Sequence, residues 1–206
     1  MIENIKWLGH ASILISIGGK NIYVDPWKLV KEQPKADLIL ITHPHYDHFS
    51  PDDINRISTN DTVIVGPSDI MRLKIGIKKT LIPGEEIDLK WIKIKGIPAY
   101  NLNKQFHPKN NKWLGYLIEI EGKKIYIAGD TDFIPEMKEI KADVVILPVG
   151  GTYTMTSEEA ANAVNTIKPQ IAIPYHYGDI VGSEKDAKLF SSFVLNAKVE
   201  ILKVEK

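Results

Sequence analysis

The stretch of sequence that decides the fold is LILITHPHYDH, residues 38–48. Its first four residues form a continuous apolar run, which predicts a strand buried on both faces. Its last six residues hold three of the six histidines of the chain and one aspartate, directly after that strand. Ligands and catalytic groups in α/β sheets gather beyond the carboxyl ends of strands. The segment therefore predicts a functional site at the end of a buried strand.

The polar end of this stretch brings candidate metal ligands together without long-range folding. Pro44 disfavours helical geometry at His43, so the segment starts extended, and His43 and His45 then point to the same side. Asp47 and His48 follow in a turn and can face a second point nearby. Neutral imidazoles and a carboxylate suit zinc, and also manganese or iron. We interpret the segment as a metal site, the alternative being a solvated polar loop before a helix.

Two further apolar runs end in candidate polar residues. Asp130 follows the run at 125–128, and His176 follows the run at 171–174. Taken alone, an aspartate of this kind is more often a turn residue, and a single histidine is more often structural. Their placement after strands, in a chain that already contains a four-donor cluster, favours a functional role for both.

The composition limits the class of protein. The 206 residues include 26 basic and 26 acidic side chains, a formal net charge of +0 and no cysteine. This length predicts one domain, residues 1–206. Disulfides, thiolate zinc ligands and a cysteine nucleophile are excluded, which fits a cytoplasmic protein. The balanced charge disfavours nucleic acid as a partner.

Membrane partners are not expected either. No segment approaches the apolar length that spans a bilayer, and the early acid Glu3 argues against a signal peptide. The sequence carries no signal for an oligomeric state.

Local signals predict many short strands and a few helices. The glycine pair at 18–19 predicts a hairpin, and Ser50 is expected to cap a short helix. Thr156 opens a capping box before a helix that runs to about Ile167. Residues 199–204 predict a closing strand. Together these elements predict two sheets with helices outside them in one domain.

The motifs are similar to those of a known family. Residues 43–48 match the H-x-H-x-D-H signature of the metallo-β-lactamase superfamily, residues 129–131 resemble its bridging-aspartate motif, and His176 resembles its last histidine. Residues 8–12 and 25–27 resemble the branch of small hydrolases that holds L-ascorbate-6-phosphate lactonase and N-acyl-phosphatidylethanolamine phospholipase D. The resemblance implies an α+β fold, a four-layer αββα sandwich of two mixed sheets.

The same resemblance implies two divalent metal ions, Zn²⁺ or Mn²⁺, in a cleft between sheet edges. The implied ligands are His43 and His45 for the first ion, Asp47, His48 and His176 for the second, and Asp130 as a bridge between them.

One position departs from the family pattern. The family usually places another first-metal histidine just after a Pro-Ala pair and one further residue, where this chain has Asn101. The one histidine between the signature and Asp130 is His107. His107 serves as the ligand or contacts substrate, Asn101 serves weakly, or the first ion is loosely held. These alternatives stay open.

The resemblance also implies a reaction. A metal-bound hydroxide would attack the substrate, Asp47 would orient it, and His10 would bind substrate, donate a proton or fix its loop. Two dications offset by two carboxylates and one hydroxide leave a net charge of about +1. Such a site favours a small anionic ester, phosphodiester or lactone. The alternatives are a nuclease of the same superfamily and a non-catalytic metal-binding scaffold.

Overall fold

The computed structural model describes residues 2–30 and 32–205. The chain divides into two compact units, the first running through residue 81 and including the C-terminal residues from 203, the second spanning 82–202. Each unit contains one mixed β-sheet, and short helices complete both units. The predicted α+β class with two mixed sheets is confirmed. One domain over residues 1–206 stays a prediction.

The first unit is built on a six-stranded sheet in which strand order follows chain order. Its strands are β1 (Ile5–Gly9), β2 (Ser12–Ile17), β3 (Lys20–Val24), β4 (Leu38–Leu40), β5 (Val63–Gly66) and β6 (Ile77–Thr80). Strands β1 to β3 pair antiparallel, and strands β3 to β6 pair parallel. The glycine pair between β2 and β3 has positive φ at both residues, so the predicted hairpin is confirmed.

The strand before the histidines is buried as predicted. All three residues of β4 are inaccessible to solvent, between the parallel strands β3 and β5. Helix α1 (Pro51–Ile57) then begins at the cap Ser50, whose side chain accepts from the backbone N–H of Asp53. Ile54 and Ile57 of this helix pack into the same apolar cluster as the strand. The segment with the histidines therefore connects two anchored elements.

The second unit is built on a seven-stranded sheet of order β13-β12-β11-β10-β9-β8-β7. Its strands are β7 (Glu86–Asp88), β8 (Lys93–Pro98), β9 (Leu114–Ile120), β10 (Lys123–Ile127), β11 (Val144–Pro148), β12 (Ile171–Tyr175) and β13 (Lys198–Val199). Strands β7 to β10 are antiparallel, and β10 to β13 are parallel.

Two helices of the second unit begin with capping boxes, and the first of them is the one predicted at Thr156. Helix α2 (Ser157–Ile167) has the capping box of Thr156 with Glu159, and α3 (Glu184–Phe193) has a second box that begins at Ser183. The two helices pack on each other and on β11 and β12. No helix within residues 2–30 and 32–205 combines the length and the apolarity that a membrane crossing requires.

The closing strand predicted over 199–204 is wrong. Strand β13 ends at Val199, and Val204 instead forms a single bridge with Trp7 in the first unit. Ile201 is 41% exposed, so its side chain does not join the core. The edge strands β6 and β7 were not predicted, because most of their side chains are exposed and their sequences lack apolar alternation.

The position of β4 leads to a stability prediction. Ile39→Ala removes a fully buried side chain from the central parallel strands and is expected to lower the free energy of unfolding by about 2–5 kcal/mol. Ile77→Ala on β6, where the side chain is 50% exposed, is the matched control, with an expected change within about 0.5 kcal/mol. Urea denaturation measures both. Equal losses for the two variants would contradict this arrangement.

Candidate metal centre

The histidine segment ends in the turn that the sequence predicts. The backbone N–H groups of His48 and Phe49 both donate to the carbonyl oxygen of His45, at 3.0 and 2.8 Å. The Nε2 atom of His43 lies 3.0 Å from Nδ1 of His45. The two rings therefore turn to the same side, as the extended course of the segment predicts.

A buried carboxylate, Asp25, determines which ring nitrogen carries the proton in His43 and in His48. Asp25 accepts from the backbone N–H of Thr42 at 2.8 Å, from its hydroxyl at 2.6 Å and from Nδ1 of His48 at 2.8 Å. Since the Thr42 hydroxyl donates to Asp25, its oxygen is left to accept from Nδ1 of His43 at 2.9 Å. The network thus assigns the proton to Nδ1 of both rings, and their Nε2 lone pairs remain to bind a metal.

The charge state of Asp25 is set by opposing effects. Complete burial raises the pKa of its carboxyl above the ordinary value, and the His48 ring and the hydrogen bonds from Thr42 oppose that rise only in part.

Asp47 belongs to a second group of donors in the first unit. Its Oδ2 atom lies 3.0 Å from Nε2 of His10 and 3.7 Å from Nε2 of His48. One ligand atom from each of these three residues lies within 4.8 Å of the others. The indole N–H of Trp7 donates to the carbonyl oxygen of His10 at 2.8 Å, which holds the backbone at this position. His10 therefore contacts the carboxylate that the resemblance makes central to the reaction.

The second unit brings its own predicted residues together around Asp130. Oδ1 of Asp130 lies 3.1 Å from Nε2 of His176, and Oδ2 lies 3.3 Å from Nε2 of His107. All three side chains are buried. Each carboxylate oxygen thus faces a different imidazole, the arrangement expected of a carboxylate that serves two ligand sets.

The hydrogen bonds of Asn101 bear on the alternatives that the sequence left open. Its Oδ1 atom accepts from the backbone N–H and Nδ1 of His107, at 3.0 and 3.1 Å. Its Nδ2 atom donates to Asp132 at 3.0 Å and to the carbonyl oxygen of Tyr153 at 2.9 Å. These four bonds use the hydrogen-bonding capacity of the amide. The geometry favours His107 as the donor and Asn101 as the residue that orients it.

Sequence reasoning assigned no role to Asp25, Thr42 or Asp132. Asp132 is buried and accepts from Asn101, from the backbone N–H of Leu102 and from Lys104 at 2.6 Å. A signal for Asp25 was present, because it directly follows β3 at the same kind of strand end as the other candidates. The role of Asp132 depends on the path of the loop that follows β8.

The donor set fits a divalent metal. It consists of imidazole nitrogens and carboxylate oxygens, and most of its members are buried. These are the ligand types that zinc and manganese take in proteins. Ring tautomers are held by a carboxylate, a hydroxyl and an amide, as is usual for histidines that ligate metal.

Comparison with known proteins agrees with this chemistry. Residues 4–176 match the model of a β-lactamase superfamily domain. The chain is 34% identical to a UPF0173 metal-dependent hydrolase of Thermoplasma acidophilum, over 100% of this chain and 98% of the relative. It is also 34% identical to a UPF0173 protein of Pyrococcus furiosus, over 96% of this chain and 93% of the relative.

Solved structures agree as well. A protein of Parabacteroides distasonis, provisionally named a metal-dependent hydrolase, superposes with a TM-score of 0.84 at 35% identity, over 97% of this chain and 93% of its own. The α+β fold expected from the resemblance is thus the fold of this chain. The chain belongs to the metallo-β-lactamase superfamily and, within it, to the UPF0173 metal-dependent hydrolases.

Proposed function

We propose that the chain is a two-metal hydrolase of a small anionic ester, phosphodiester or lactone. The observation that carries the proposal is Asp130, a buried carboxylate that presents each of its oxygens to a different histidine. Zn²⁺ is the proposed metal, with Mn²⁺ as the alternative, because the donors are nitrogen and oxygen. The proposed ligands are His43, His45 and His107 for the first ion, Asp47, His48 and His176 for the second, and Asp130 for both.

Several residues of the chain act by holding these ligands. When bound, divalent metal lowers the pKa of water and polarises the carbonyl or phosphoryl oxygen of a substrate. Asp25 and Thr42 keep the proton of the His43 ring on Nδ1, and Asn101 does the same for His107. Fixed tautomers leave the Nε2 lone pairs of these rings available to a metal. Ring orientation is therefore set by hydrogen bonds within the protein.

Proton transfer is proposed for Asp47 together with His10. Asp47 is the less buried of the two, so a substrate can reach its carboxylate, and Nε2 of His10 lies 3.0 Å from Oδ2. Asp47 accepts the proton of the attacking water, and His10 orients that carboxylate and shares the proton. A pair of this kind contributes about 10²–10⁴-fold to a hydrolytic rate.

The charge balance supports a small substrate over a nucleic acid. The formal net charge is +0, so the chain has no overall positive field to attract a polyanion. A nuclease and a non-catalytic scaffold are the alternatives, and a lipid substrate is not favoured. The finer likeness to the lactonase and phospholipase branch belongs to this proposal. The proposed location is the cytoplasm, consistent with the absence of cysteine.

Metal content and hydrolysis together test the proposal. We expect about two divalent ions per chain after purification without chelator, by elemental analysis. The loaded enzyme is expected to hydrolyse at least one of bis(4-nitrophenyl) phosphate, an anionic 4-nitrophenyl ester and a phosphorylated sugar lactone. Asp47→Asn is expected to lower kcat by about 10²–10⁴-fold.

The outcomes of this test separate the candidate functions. Cleavage of single-stranded RNA or DNA, with none of the three small substrates turned over, would favour the nuclease. A metal-loaded enzyme that is inert to all of these compounds would contradict the proposed substrate class and favour the scaffold.

A second prediction separates His107 from Asn101. His107→Ala is expected to lower the metal content from about two ions to about one, since it removes a proposed ligand. Asn101→Ala is expected to keep two ions at saturating metal but to weaken affinity by about 10–100-fold, because only the orientation of His107 is lost. Titration against a competing chelator measures both. Full metal content and affinity in His107→Ala would move that residue to a substrate role.

A third prediction concerns the hydroxyl between Asp25 and His43. Thr42→Val keeps the shape of the side chain but removes the two hydrogen bonds of its hydroxyl, to Asp25 and His43. We therefore expect metal affinity to fall by about 10–100-fold. Thr42→Ser retains the hydroxyl and is the matched control, with affinity close to that of the wild type. The same chelator titration applies. Equal affinities for the valine and serine variants would contradict the role of the hydroxyl.

A further inference from the structure

An exposed aromatic side chain stands between two proposed metal ligands. Tyr46 follows His45 and precedes Asp47, and it is 69% exposed. Its ring lies against the ring of Trp27, with centroids 6.1 Å apart and an edge-to-face angle of 73°. An exposed tyrosine ring beside a polar site offers a ligand rigid contact area at small entropic loss.

Trp27 is held on several sides. Its backbone N–H donates to the Ser12 hydroxyl at 2.9 Å, and the ammonium of Lys28 lies 4.2 Å from the centroid of its ring. The ring of His10 meets it edge-to-face at 5.3 Å. Trp27 is therefore a fixed support, and its contacts leave the ring of Tyr46 as the more exposed aromatic surface of the pair.

The backbone of Tyr46 is fixed as well. It lies in the turn closed by two hydrogen bonds to the carbonyl oxygen of His45, and the buried Phe49 anchors the end of that turn. A ring on a fixed backbone, supported by a second fixed ring, binds a flat partner without the entropic cost of ordering a loop.

The aromatic pair is continuous with the proposed reaction centre. His10 contacts Trp27 on one side and Oδ2 of Asp47, at 3.0 Å, on the other. A group that stacks on Tyr46 is therefore joined to the proposed proton acceptor Asp47 by a chain of contacts through Trp27 and His10. The ammonium of Lys28 adds a positive charge beside the pair, which suits a substrate that is both aromatic and anionic.

We propose that Tyr46, supported by Trp27, forms a subsite for an aromatic ring carried by the anionic ester or phosphoester that the enzyme hydrolyses. The inference rests on the proposed function, because it places the scissile group of the same molecule at the donors next to Asp47. It narrows the substrate class to anionic compounds with an aryl group.

Two phosphonates that differ only in their organic group test the inference. Phenylphosphonate and methylphosphonate are titrated calorimetrically into the metal-loaded full chain, at a pH at which both are dianions. We expect phenylphosphonate to bind about 10-fold more tightly, a ratio that stacking and apolar burial together supply. In Tyr46→Ala the ratio is expected to fall to about twofold, and Tyr46→Phe is expected to retain it.

Two further variants locate the effect. Trp27→Leu removes the supporting ring and is expected to lower the ratio. Phe193→Ala removes an exposed aromatic ring of α3 and is the matched control, with an unchanged ratio. Metal content is measured for each variant, so that loss of the ring contact is distinguished from loss of the ligands.

Each outcome bears on one proposal. A ratio near one in the wild type, or a ratio that Tyr46→Ala leaves unchanged, overturns the aromatic subsite and leaves the proposed hydrolase intact. A fall of the same size in Phe193→Ala also overturns it. Failure of the metal-loaded wild type to bind either phosphonate counts against the anionic substrate class itself.

Discussion

The hydrogen bonds of Asp25 are the interaction on which the first unit's site depends. This carboxylate is fully buried directly after β3, and it joins that strand to Thr42 and His48 on the segment that follows β4. Burial of a carboxylate is unfavourable unless hydrogen bonds satisfy it, and three donors do so here. Two of these bonds also fix the rings of proposed ligands. The Thr42 hydroxyl, which donates to Asp25, accepts from His43, and Asp25 itself accepts from His48. Asp25 therefore stabilises the strand ends and orients the proposed ligands through one set of contacts.

The second unit repeats this arrangement with different residues. A buried carboxylate, Asp132, accepts from Asn101, and Asn101 in turn accepts from Nδ1 of His107. In the first unit the same order is Asp25, the Thr42 hydroxyl and His43. In both cases a neutral side chain lies between a carboxylate and a histidine ring. It donates a hydrogen bond to the carboxylate and accepts one from Nδ1 of the ring. Since that group keeps the proton on Nδ1, the chain presents an unprotonated Nε2 atom in each unit.

The parts of the site that could be predicted from the sequence are those formed by residues close together in the chain. Residues 43–48 could be predicted because Pro44 and the preceding apolar run set the local course of the backbone without tertiary contacts. The capped helices followed from sequence for the same reason. The bonds between Asn101 and His107 could not be predicted, because they depend on the path of the five residues 102–106 that lie between them. The end of β13 was missed because Ile201 and Val204 are exposed, which their apolar side chains do not reveal in the sequence.

Three residues of the proposed site have a left-handed backbone conformation directly after a strand. His10, Asp25 and His176 all have positive φ, at 47°, 45° and 58°, and each is the first residue after a strand, β1, β3 and β12 respectively. A left-handed residue at this point turns the chain sharply, so its side chain stays at the edge of the sheet. Glycine adopts this conformation without strain but has no side chain that could supply an imidazole or a carboxylate. Each of the three positions costs of order 1–3 kcal/mol in a residue with a side chain. Three of the eight non-glycine residues with positive φ in the described part of the chain therefore lie at the proposed site, and the other five are lysine or glutamate residues outside it.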